Sequence, residues 1–182
     1  MNPPPIGEAL TVGWNTFKEN MVPILVAMLC AMVLGVIPVV GQFLALPGMA
    51  FVALKALRGQ TPEPRDGFVA FTKPVDNIVI GLFQILGLIA CCIGVYVTQA
   101  IFVPGTFLII DKNMTWQEAK DRCMEQIKPN WVAWTIFFFV VGLVGCLGAI
   151  LCGIGIFFTL PIAMIALAYA YEQTLGGGAQ QA

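Results

Sequence analysis

Three stretches of the chain, residues 20–54, 77–110 and 129–171, contain no Asp, Glu, Lys or Arg, and they are 35, 34 and 43 residues long. A membrane-crossing helix takes about 20 apolar residues and about 17 at the least. Each stretch is too long for one crossing and suits a hairpin of two, so the pattern predicts six spans. Composition agrees: 59% of the 182 residues are hydrophobic and 10% charged, against about 25% charged in a soluble domain. A soluble fold would have to bury all three runs in a core larger than a chain of this length supports. The first 20 residues have no basic segment ahead of the apolar run and carry Glu8 and Glu19. They do not read as a cleavable signal peptide, and the first hairpin is expected to act as the insertion signal.

All nine basic residues (Lys18, Lys55, Arg58, Arg65, Lys73, Lys112, Lys120, Arg122 and Lys128) lie before or between the hairpins. None falls in the hairpin turns expected near 38–42, 92–96 and 151–155. Under the positive-inside rule both termini and the two long connections are cytoplasmic. Trp14, Trp116, Trp131 and Trp134 fall near that same interface. The ten acidic residues share the side, and a net charge of −1 gives no reason to expect nucleic acid or a polybasic lipid clamp.

Prolines 47, 104 and 161 stand in "LPG", "VPG" and "LPI", 57 and again 57 residues apart. Lys18, Lys73 and Lys128 are spaced 55 and 55. Each lysine follows an amphipathic segment and precedes an apolar run, so the chain reads as three copies of one unit. The expected architecture is an all-α integral membrane protein of six transmembrane helices in three hairpins, each preceded by a short cytoplasmic-side amphipathic helix. It forms one membrane domain over 1–182, with repeats at about 6–57, 66–111 and 115–172 and a flexible tail at 175–182. The expected surface stripes are Ile6, Leu10, Trp14 and Phe17 in the first copy and Trp116, Ala119, Cys123 and Ile127 in the third. Thr115 and Glu118 fit a capping box. The second copy is shorter, with Phe68 and Phe71 facing the membrane. Trp14, Lys18, Lys73, Trp116, Lys128 and Trp131 are the expected interface anchors.

Proline in a helix interior deletes a hydrogen bond and clashes with the preceding turn. Neighbouring helices in a membrane can re-satisfy the freed carbonyl. Pro47, Pro104 and Pro161 therefore read as repeated structural kinks rather than gating hinges.

There is no histidine, which removes the commonest general base and metal ligand. The six cysteines form no CxxC pair. Cys91–Cys92 and Cys146 with Cys152 lie near outer turns where oxidation is open to them, but small buried packing residues are the preferred reading. Cys123 is expected to project from a cytoplasmic helix as a free thiol. Inside the expected spans Gln84 and Gln99 are the polar contacts to watch, as interhelical glue before a substrate path. Gly145, Ala149 and Gly153 are spaced for close helix contact or simply relax a turn. The charges from Asp111 to Glu125 alternate in sign as a solvated helix face does. No cofactor, metal or catalytic residue is predicted.

"IGEALTVGWNTFKEN", "ALKALRGQTPEPRDGF" and "TWQEAKDRCMEQIKPNW" resemble a broad group of bacterial multi-pass membrane proteins of unknown function. Related segments form the membrane portion attached to some glycerophosphodiester phosphodiesterases. The resemblance implies a six-helix protein of the bacterial inner membrane; the phosphodiesterase domain is absent, so no active-site residue carries over. The favoured expectation is a non-enzymatic scaffold or accessory subunit that orders lipids and meets a protein partner or a second copy through its cytoplasmic-side helices. The alternative is a small transporter or channel for lipids or apolar solutes, and an intramembrane enzyme comes last.

Overall fold

The computed structural model describes residues 2–35, 40–85, 91–150 and 155–176. Among the described residues there are eight α-helices: α1 (Ile6–Glu19), α2 (Met21–Gly35), α3 (Val40–Leu57), α4 (Pro74–Ile85), α5 (Cys91–Asp111), α6 (Trp116–Gln126), α7 (Trp131–Ile150) and α8 (Ile156–Thr174). A 3-10 helix, Pro64–Thr72, precedes α4, and a 3-10 turn, Lys128–Asn130, precedes α7. Among the described residues there is no strand.

Among the described residues three helical segments are long and apolar enough to cross a membrane: Gly94–Asp111, Lys128–Gly148 and Ile156–Thr174. α1 and α2 taken together are also long and apolar enough, but they are bent by 100° at their junction. Residues 92–96, a turn by the sequence reading, lie in the first turns of α5, and of the turn at 38–42 the described residues 40–42 begin α3. The expected turn at 151–155 falls mostly outside the described residues, as do the side chains of Cys91, Cys92, Ala149 and Cys152 and the residue Gly153.

The helices pack in a cyclic order. α2 pairs with α3, α4 with α5 and α7 with α8. Each surface element then lies on the second helix of another pair: α1 on α8, the 3-10 helix on α3, and α6 on α5. α3 also meets α4, α5 meets α7, and α8 meets α2, while α3, α5 and α8 touch one another. These last three form the interior. Their residues dominate the buried core from Val52 to Leu54, from Ala100 to Ile109 and from Ile162 to Ala170.

Pro47, Pro104 and Pro161 each lie inside one of those three helices and all are buried. The residue after each proline is where the surface element makes close contact. A Cβ on Gly13 of α1 would meet the Ile162 carbonyl at 2.7 Å. A Cβ on Gly48 would collide with the carbonyl of Gly67 in the 3-10 helix, and one on Gly105 would meet Cys123 Sγ of α6 at 3.3 Å.

That packing sets which face of each surface helix meets the protein. On α1 the buried residues are Ala9, Gly13 and Phe17, because small side chains let α1 approach α8. Ile6 and Leu10 flank this face, and Trp14 is left 49% exposed. On α6, Ala119 and Cys123 are buried and Ile127 follows them inward. Cys123 is thus a free thiol that is buried rather than projecting.

Candidate functional site

The C-terminal ends of α3, α5 and α8 meet in a charged junction. Arg58, one residue past α3, grips Asp111 with both ends of its guanidinium: Nη1 donates to Oδ1 at 2.5 Å and Nη2 to Oδ2 at 2.8 Å. Its Nε donates to Glu172 Oε1 at 2.5 Å. Tyr171 donates its hydroxyl to Asp111 Oδ2 at 2.9 Å and stacks on Phe107, with ring centres 5.1 Å apart. Lys112 Nζ donates to the Leu175 carbonyl at 2.6 Å. One arginine thus ties three helices together through planar, charge-assisted bonds. The hydrogen bond to Asp111 and the charge of both carboxylates, working against burial, hold Arg58 above its ordinary pKa.

The surface elements are fastened beside this junction. Asp66 accepts from Lys55 Nζ at 2.8 Å and from the Glu63 amide at 2.7 Å, which closes the N-terminus of the 3-10 helix and ties it to α3. Lys73 Nζ donates to the carbonyls of Asn113 and Met114 at 2.6 and 3.2 Å. Asn113 has φ 53, in the left-handed region that asparagine tolerates better than most residues. Asp76 Oδ1 accepts from the Trp116 amide at 2.9 Å. The Thr115–Glu118 capping box is formed, and the Thr115 backbone and hydroxyl bonds draw the Glu118 carboxyl below its usual range. An open groove of about 510 Å³ runs along Lys112–Met114 and the outer side chains of α6, including Asp121, Arg122 and Glu125.

The expected anchors separate into two kinds. Trp14 and Trp131 are about half exposed, at 49% and 46%, with Lys18 over the Trp14 ring at 5.5 Å and Lys128 exposed beside Trp131. Trp116 is half-buried and stacks on Phe83 at 6.0 Å, and Lys73 is engaged in the loop bonds described above. These two also make contacts within the protein.

Gln84 is buried and donates to Thr106 Oγ1 at 3.0 Å, while Thr98 Oγ1 donates to the Gln84 carbonyl at 2.6 Å, so both bonds join α4 to α5. Gln99 is half-buried on α5. In the third pair Thr159 Oγ1 donates to the Gly145 carbonyl at 2.8 Å, and Gly148 lies against Gly155 so closely that neither has room for a Cβ. Gly145 therefore belongs to a close contact between α7 and α8.

Chemically, the junction is a fastener. Its carboxylates are occupied by Arg58 and Tyr171, and among the described residues no group of three or more His, Cys, Asp or Glu could hold a metal ion. Burial pushes the Cys123 thiol up to about 12, which keeps it protonated and unreactive. The Arg58–Asp111–Glu172 junction was not foreseen from sequence. Its available signal was position: the three residues follow their prolines by 11, 7 and 11 residues.

No protein-family model, curated protein or solved structure matches this chain.

Proposed function

We propose that the chain is a non-enzymatic scaffold or accessory subunit of a bacterial inner membrane. It is built as three copies of one helix–hairpin unit around a pseudo-threefold axis, with six membrane-inserted legs and both termini cytoplasmic. The observation that carries the scaffold reading is the Arg58 junction. It fastens the three interior helices to one another and occupies the charged groups that a moving carrier would need free. The bonds of Gln84 to Thr106 and of Thr159 to Gly145 support the same reading, because they use polar groups to join helices. The cyclic contacts and the equal proline spacing argue for the threefold unit. The one-sided basic residues argue for the orientation, and the resemblance to bacterial multi-pass proteins argues for the compartment.

On this reading, the exposed charges of α6 and the groove beside them meet a protein partner or a second copy, and the outer helices order lipid. No cofactor takes part. Native mass spectrometry of the protein released gently from its own membrane tests the reading. A discrete added protein mass, or a fixed homo-oligomer, is expected. A monomer retaining one defined lipid or apolar molecule would overturn it in favour of a carrier, and a bare monomer would also count against it.

A further inference from the structure

In a 3-10 helix there are three residues per turn, so side chains three apart stand directly above one another. In Pro64–Thr72 this places Arg65, Phe68 and Phe71 in one row. The row faces outward: the Arg65 side chain is 79% exposed, Phe68 40% and Phe71 54%. The opposite side is clamped to the protein. Gly67, Ala70 and Asp66 are buried, a Cβ on Gly67 would meet the Ala27 carbonyl of α2 at 2.7 Å, and Asp66 is bonded to Lys55 of α3. The helix therefore has no freedom to turn its two phenylalanines inward.

We propose that this row is a docking surface for the bilayer interface, with Phe68 and Phe71 lying among the upper acyl chains and Arg65 at the level of the phosphates. The inference rests on the membrane reading above and deepens it. Continuity selects lipid as the occupant. Residue 71 leads directly into α4, whose outward side chains Val75 (67% exposed) and Leu82 (47%) carry the apolar surface onward. On the other side the 3-10 helix packs against α2, which presents Val22, Val26, Leu29 and Val33 outward. The 3-10 helix thus lies against two helices, α2 and α4, that each carry exposed apolar residues. An aromatic row tipped by a basic residue is how interfacial helices divide themselves between acyl chain and headgroup.

The test places trifluoromethylphenylalanine at Phe68, Phe71 or Phe139 of the full chain, in nanodiscs of phosphatidylcholine and phosphatidylglycerol, and reads fluorine NMR relaxation. Phe139, exposed on α7, is the reference for a membrane-spanning face. A lipid spin label near the top of the acyl chain is expected to speed relaxation at 68 and 71 several-fold, while a water-soluble gadolinium chelate has little effect. Relaxation by the chelate at 68 and 71, with Phe139 still reached only by the lipid label, would overturn the docking surface and leave the membrane reading intact. Relaxation of all three by the chelate would overturn both. Protection of 68 and 71 from both agents would overturn lipid as the occupant and point to a second protein surface.

Discussion

The inner helices α3, α5 and α8 and the outer helices α2, α4 and α7 are all apolar, the outer α2 and α7 more so than any inner helix, and they behave differently. Over half of the windows Gly94–Asp111 and Ile156–Thr174 is buried, 56% in each case, against 28% of Lys128–Gly148 on the outer α7. The inner helices carry the buried prolines, the close contact after each proline, and the ion-paired ends. The outer helices show Val, Leu, Ile and Phe to the exterior along one side, as α7 does with Val132, Ile136, Phe139, Leu143 and Leu147. In a membrane, apolarity does not drive a helix into the core, because lipid is as apolar as leucine. Close approach of small residues and a few polar bonds do so instead.

Gly48 and Gly142 offer the sharpest way to break the comparison. Gly48 on inner α3 has its position for a Cβ filled by the backbone of Gly67, while Gly142 on outer α7 has nothing within 4 Å. Backbone cannot move aside as a flexible side chain can, so Gly48→Ala is expected near the upper end of overpacking costs, about 3 kcal/mol. Gly142→Ala should be neutral or slightly stabilising through helix propensity. Thermal unfolding of both variants in matched bicelles measures the difference. Equal losses would mean that the inner and outer helices are not packed by different rules.

Removing Arg58 comes next. Arg58→Leu strands Asp111 and Glu172, whose side chains are only 11% and 7% exposed. Breaking a buried pair costs about 3–5 kcal/mol, but the Arg58 side chain is 35% exposed, and solvent screening brings the expectation to about 2 kcal/mol. Arg58→Lys should recover little of this, since a point charge cannot grip Asp111 bidentately. Unfolding of the two variants by a denaturing detergent checks it, and full rescue by lysine would show that charge alone matters at the junction.

Smaller effects belong to the surface elements that rest on the inner helices. Thr115→Ala removes the N-cap of α6 and should cost about 1 kcal/mol, read as a lower melting temperature. Its partner carries a pH signature. Glu118 has a lowered folded-state pKa because the Thr115 amide and hydroxyl bond its carboxylate. Its contribution is therefore present above the unfolded glutamate pKa and is lost as pH falls through the lowered value. The melting difference between the native chain and Glu118→Gln should be present at neutral pH and vanish in acid. A difference that grows in acid would contradict the assigned bonds.

The sequence made the helical, apolar character of the chain legible, along with the equal spacing of the prolines, because charge segregation and punctuation are local properties. Of the four stripe residues on α6, Ala119, Cys123 and Ile127 are buried and Trp116 is half-buried. The sequence left the protein-contact face of α1 unread. Reading by hydrophobicity selects Trp14, whereas the face that meets α8 is defined by Ala9 and Gly13, residues whose value lies in their small size. It also could not separate Trp116 from Trp131, or Lys73 from Lys18. Each pair looks alike in sequence, and only the neighbours, Phe83 for Trp116 and the Asn113–Met114 carbonyls for Lys73, divide them. The Arg58 junction joins residues 53 and 114 positions apart, beyond the reach of any local pattern.

The smallest expected effect is the most demanding test of the comparison. Leu143 lies on α7 and is 50% exposed. In water, removing a leucine side chain from a buried site costs about 2–5 kcal/mol through lost transfer energy and the cavity left behind. On an outer face within a bilayer neither cost arises: lipid surrounds the side chain whether or not the helices are packed, and acyl chains fill the space it vacates. Leu143→Ala is therefore expected to change stability by no more than about 0.5 kcal/mol, measured by the same bicelle unfolding as Gly48→Ala. A loss as large as a core substitution would mean that Leu143 is covered by protein. The α7 face would then join α6 and its groove as contact surface for a partner, and the outer helices could no longer be assigned to lipid as a group.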